Sequence, residues 1–103
     1  MSKLNIIDKG GGLFLIDGDL TFATIDKRTL KASSFLNSGK DVTIDLAQVA
    51  CTDSAGLALL IEWLKRARAR RTHLHFRNIP QQLLTLAKLS GFDKTSHFQS
   101  HAD

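Results

Sequence analysis

One stretch constrains the fold of this chain more than any other: the apolar run Val42-Thr43-Ile44-Asp45-Leu46, then Asp53-Ser54-Ala55-Gly56, then helical sequence from Leu57 to Arg71. It reads as a strand, a tight loop and a helix start. A strand that feeds directly into a helix calls for a second, parallel strand to receive the chain on the far side. His73-Leu74-His75-Phe76 supplies it, with Leu74 and Phe76 on one face. The α/β class follows from this unit alone.

The flanking segments extend the same layout. Two short apolar segments, Lys3 to Ile7 and Leu13 to Ile16, are joined through Asp8-Lys9-Gly10-Gly11-Gly12, which reads as a hairpin. Phe22 to Leu36 has the spacing of an amphipathic helix closed near Asn37-Ser38-Gly39. Asn78-Ile79-Pro80 opens a further helix through Ser90, with Pro80 in its first turn and Gly91 as its stop. From Phe92 to Asp103 the chain has room for one short edge strand. The expectation is a small α/β sandwich: a mixed sheet of four to five strands, parallel in its centre with the hairpin added antiparallel, packed by three to four helices.

With 103 residues, 43% of them hydrophobic, the chain is sized for one domain, residues 1–103. No apolar stretch approaches the roughly 18 residues of a membrane helix, and the start lacks the layout of a secretory signal. A cytoplasmic location is expected. The lone Cys51 rules out an internal disulfide and reads as a small buried thiol. The net charge of +4 owes much to Lys65, Arg66, Arg68, Arg70 and Arg71, read first as a solvated helix face and otherwise as a surface for an acidic partner, a nucleic acid or a membrane.

The chemistry-bearing candidates thin out on inspection. His73 and His75 share a strand face but lack a third ligand of suitable spacing, so no metal is expected. Gly10-Gly11-Gly12 and Ser38-Gly39-Lys40 do not complete a phosphate-binding loop, and no cofactor is called for. A nucleophilic Ser54 would need a histidine base that the sequence does not provide, and Gly-x-Ser-x-Gly is absent. The chain is therefore read as no enzyme and as no nucleic-acid binder.

Ser54 keeps two readings. Either it or Asp53 caps the helix, or Ser54 is a phosphoacceptor whose added charge is partly offset by the helix N-terminus. Gly56 permits a tight turn or the approach of a partner's backbone, or is simply a small residue in a first turn. Rotating about 100° per residue places Leu57, Leu60, Ile61, Leu64 and Ala67 toward the sheet. Leu59 and Trp63 then fall on an exposed flank beside Arg66. Trp63 so placed is either an anchor for a partner or a packing residue at the sheet edge; on the first reading, Leu59→Ala or Trp63→Ala should weaken binding with little loss of stability.

Val42-Thr43-Ile44-Asp45-Leu46, with Thr52-Asp53-Ser54-Ala55-Gly56-Leu57-Ala58-Leu59-Leu60, resembles the signature of STAS domains. Gly18-Asp19-Leu20 and Leu86-Ala87-Lys88-Leu89-Ser90-Gly91-Phe92 are similar to that family as well. The resemblance implies a protein-binding module. In its anti-anti-sigma branch, the serine matching Ser54 is phosphorylated by an anti-sigma kinase. In its Mla branch, a small STAS subunit binds the cytoplasmic ATPase of a phospholipid ABC transporter in Gram-negative bacteria. Gly56-Leu57-Ala58-Leu59-Leu60 and Thr85-Leu86-Ala87-Lys88-Leu89 look closer to the second. The expected partner surface is Asp53, Ser54, Gly56, Leu59, Trp63 and Arg66.

Overall fold

The structure, a computed structural model, describes residues 4–25 and 41–91. The described elements are β1 (Leu4–Gly10), β2 (Leu13–Leu20), β3 (Asp41–Thr52), α1 (Ser54–Ala69), β4 (His73–Arg77) and α2 (Gln81–Leu89). They build one four-stranded sheet in the order β1-β2-β3-β4. β1 and β2 pair antiparallel, with Ile6 opposite Ile16; β3 runs parallel to both neighbours, with Ile44 beside Phe14 and Phe76. This is the expected mixed sheet. Two helices lie among the described residues, fewer than the three to four expected. Of the expected helix from Phe22, residues 22–24 form a turn and residues 26–36 lie outside the described residues, as does the expected edge strand after Phe92.

Period-two alternation puts Val42, Ile44 and Leu46 of β3 on the buried face, where they join Ile16, Leu20 and Leu74. α1 contributes Leu57, Leu59, Leu60, Trp63 and Ala67 to the same core, and α2 contributes Leu83 and Ala87. β3 is longer than the Val42–Leu46 run suggests. Its second half pairs Gln48 with Asp17 and Val49 with Gly18 after a register shift opposite Leu15–Asp17, and Thr52 with Leu20 after a second shift opposite Gly18–Leu20. That stretch, Ala47-Gln48-Val49-Ala50-Cys51-Thr52, shows no apolar alternation because four of its six residues are exposed. Backbone pairing with β2 makes it a strand.

Gly12 locks the hairpin to β3. Its carbonyl accepts the Thr43 N–H at 2.8 Å, its φ is +85°, and a Cβ there would sit 2.5 Å from the Asp41 carbonyl oxygen. Only glycine fits. At the opposite end of the sheet the buried Thr52 hydroxyl donates to Gln82 Oε1 at 3.0 Å, tying the end of β3 to the first turn of α2.

Two expected exposures are reversed. Leu59 and Trp63 are 1% and 0% exposed, so neither is a surface residue and Trp63 is not an exposed anchor. The cause is that α1 packs against α2 as well as against β3 and β4. A helix covered from two sides buries a wide arc, here centred near Trp63, and leaves Ile61 and Leu64 only half-buried at its margins. Cys51, in turn, is exposed rather than buried, because it lies in the non-alternating half of β3.

Candidate functional site

Parallel strands bring their carboxyl ends to one edge, and here Leu20 of β2 and Thr52 of β3 are register partners. The loops that leave them, residues 21–25 and Asp53, are therefore neighbours in the place where open α/β sheets carry function. Asp53 ties them together. Its N–H donates to the Leu20 carbonyl at 3.1 Å, its Oδ1 accepts the Ala55 N–H at 2.8 Å, and its Oδ2 accepts the Phe22 N–H at 3.1 Å. Asp19 adds a second tie, its Oδ1 accepting the Cys51 N–H at 3.2 Å. The loop after β2 is closed internally by the Thr24 hydroxyl, which donates to the Asp19 carbonyl at 2.6 Å and accepts the Thr21 N–H at 3.1 Å.

The helix cap is thereby assigned. Asp53 is the N-cap of α1, with extended backbone and a side chain that accepts from N2 of the helix. Ser54 follows as the first helical residue, exposed, and its hydroxyl takes no hydrogen bond among the described residues. It stands at the positive end of a 16-residue helix whose first turn holds no acidic side chain. An added phosphate would meet that field, while the Ala55 N–H is already committed to Asp53.

Gly56 is buried, and a Cβ on it would lie 2.6 Å from the Leu20 carbonyl oxygen and 2.9 Å from the Leu20 Cβ. Its missing side chain lets α1 seat against the end of β2. The close backbone approach foreseen for Gly56 is thus internal to the chain, not to a partner.

The outward stripe of α1 starts at Ser54 and continues through Ala58, half-buried Ile61, Lys65 and Arg68. Arg66 lies off that line, with its Nε 3.2 Å from Glu62 Oε1 one turn back and both side chains about a third exposed. Beside Ser54, across the Asp53 tie, Phe22 is 75% exposed. Of the residues singled out from sequence, Asp53, Ser54 and Gly56 come together at the sheet edge, Arg66 lies three turns along the helix, and Leu59 and Trp63 lie beneath the surface. Phe22 stands at this edge in a turn, not on the amphipathic helix face that its spacing suggests. The cluster Asp19, Thr21 and Thr24, all turn-forming types around it, is the sequence signal that could have located it. Among the described residues no group of three or more His, Cys, Asp or Glu side chains is arranged to hold a metal ion.

A family model described as "Mlab, STAS domain" matches residues 13–99, from the start of β2 onward. This chain belongs to the STAS domain family. The fold of this STAS domain agrees with the solved structure of the anti-sigma factor antagonist SpoIIAA in its unphosphorylated form, at a TM-score of 0.62 and 14% identity, covering 86% of this chain and 81% of that one. At that identity the likeness speaks to the fold. Comparison with curated proteins gave no match. No helix among the described residues of the STAS domain is long and apolar enough to cross a membrane.

Proposed function

We propose that this chain is a non-catalytic STAS subunit that binds the cytoplasmic ATPase of an Mla-type phospholipid ABC transporter and supports its assembly or activity. The observation that supports this reading is the match over residues 13–99 to a family model described as "Mlab, STAS domain". Acting through the ATPase and its permease, such a subunit works on the cytoplasmic side of the inner membrane and serves outer-membrane lipid asymmetry without inserting into lipid. The geometry that supports a docking role is the rigid sheet edge. Phe22 and Ser54 are both exposed there and are held in fixed relation by the two carboxylate oxygens of Asp53. Ala58 and Ile61 extend the same surface along α1, with Arg66 at its margin. An exposed aromatic on a braced loop has the character of an interface anchor, the role that the burial of Trp63 removes from Trp63.

A second reading has its own observation. Ser54 offers an exposed hydroxyl, without a hydrogen bond among the described residues, at a helix N-terminus, the placement of a phosphoacceptor, and the fold matches that of an anti-sigma factor antagonist. On that reading the chain is an anti-anti-sigma factor whose binding to an anti-sigma kinase is switched by Ser54 phosphorylation. Affinity purification of the tagged chain from membranes separates the two. Recovery of an ABC ATPase with its permease supports the transporter subunit; recovery of a sigma-regulating kinase alone, with stoichiometric phosphoserine at Ser54, overturns it.

A further inference from the structure

The two helices end in the same geometry but with different residues at the turn. α1 closes with the Thr72 N–H on the Ala67 carbonyl at 2.8 Å and the Arg71 N–H on the Arg68 carbonyl at 3.2 Å. These are the paired bonds of a Schellman ending, and they require left-handed backbone at Arg71, whose φ is +55°. α2 makes the corresponding bond from Gly91 to the Lys88 carbonyl at 3.2 Å, with Gly91 at φ +82°. Glycine adopts that conformation without strain and arginine does not. The first helix therefore keeps a cation where its own fold favours glycine.

Arg71 does not stand alone. Lys65, Arg68 and Arg70 precede it within six residues and are exposed, and none of the four has a carboxylate partner among the described residues. The ion pair on this helix among the described residues, Arg66 with Glu62, lies on the neighbouring flank. The helix dipole rewards cations in the last turn and fades beyond it, so it accounts for Arg68 but not for Arg70 and Arg71, which follow the helix. Four exposed like charges within seven residues repel one another weakly, and an anionic group from outside the chain would turn that repulsion into attraction.

We propose that Lys65, Arg68, Arg70 and Arg71 form a recognition site for an acidic, Asp/Glu-bearing segment of a protein that docks along α1. The site rests on the reading of α1 as the docking helix, and not on the docked protein being a transporter ATPase. Lys65 and Arg68 continue the stripe that begins at Ser54, so one straight face offers a small neutral half, Ala58 and Ile61, and a cationic half. That division suits a protein surface. A bilayer would instead call for large apolar side chains beside the cations, and the only one on this stripe is half-buried Ile61.

The test uses the full chain, tagged, in intact cells treated with a water-soluble carbodiimide. This reagent condenses the Lys65 amine with a touching carboxylate to form an amide, with loss of water to the reagent. The expected result is a Lys65 adduct to an Asp or Glu of one partner protein. In parallel, Arg68→Ser with Arg71→Gly should lower retention of that partner about tenfold at low salt, while Arg71→Gly alone leaves the thermal midpoint unchanged or raised. Lys65→Arg removes the adduct and keeps the binding. An adduct to a transporter ATPase supports both this inference and the proposed function; an adduct to a different protein, lost in the Arg68/Arg71 variant, supports the inference and overturns that function. Co-purification of the ATPase with no carboxylate adduct and undiminished retention by the Arg68/Arg71 variant overturns the inference alone. Binding of the wild-type chain to phosphatidylglycerol vesicles, without any protein adduct, also overturns it in favour of a lipid surface.

Discussion

A carboxylate that accepts two backbone N–H groups from separate segments, as Asp53 does from Ala55 and Phe22, is part of the scaffold, and its neighbour Ser54 is left for other use. Replacing Asp53 by alanine removes a helix cap and the tie to the loop after β2, and should cost about 1–3 kcal/mol in urea unfolding. Ser54→Ala, in contrast, should stay within about 0.5 kcal/mol of the wild type in the same measurement; a larger loss would show that the hydroxyl does work within the fold. Gly56→Ala drives a methyl into the Leu20 carbonyl, 2.6 Å away, and should destabilise by about 1–3 kcal/mol through backbone shifts. The residue types Asp, Ser and Gly at 53, 54 and 56 were legible as a capped helix start. Which residue capped, and what Gly56 made room for, depended on Leu20 and Phe22, more than thirty positions away in the chain.

Among the elements, α1 separates the two kinds of position most clearly. Its core arc runs through Leu59 and Trp63, so Trp63→Ala should cost about 3–5 kcal/mol and Leu59→Ala about 2–5 kcal/mol, reversing the expectation of mutants that bind poorly but fold well. Equilibrium denaturation of the two variants checks this. Ala58→Ser on the outward stripe serves as the contrast, with a stability change below about 1 kcal/mol expected from an exposed site. Periodicity does not fix the rotation of α1, because its apolar residues span more of the circle than one contact can cover: Leu57, Leu59, Leu60, Ile61, Trp63 and Leu64 are all apolar. The second contact, with α2, decides which of them are inside. Likewise, Val42 to Leu46 announced β3 by alternation, whereas its continuation to Thr52 exists only as pairing to β2.

Across the whole molecule, β3 is held on both sides and packs under α1, while β1 is bonded to β2 alone among the described strands. Native-state hydrogen exchange should therefore protect Val42, Ile44 and Leu46 close to the global unfolding limit, with the amides of β1 exchanging sooner. Exchange of β1 as slow as that of β3 would contradict this ordering of stability. What residue pattern determined by itself was the succession of periods: alternation for strands, a helical repeat after Ser54, glycines at a hairpin, and a capping pair at a helix start. These are local preferences, set by a residue and its near neighbours, and they were sufficient for the α/β class, the mixed sheet and the resemblance to STAS domains. Tertiary structure decided what depends on a second surface: Trp63 in the core and Phe22 in solvent, Asp53 as the brace between two loops, and Ser54 left exposed at their junction. Burial is a property of what packs on a side chain from elsewhere in the chain, and no local period specifies that.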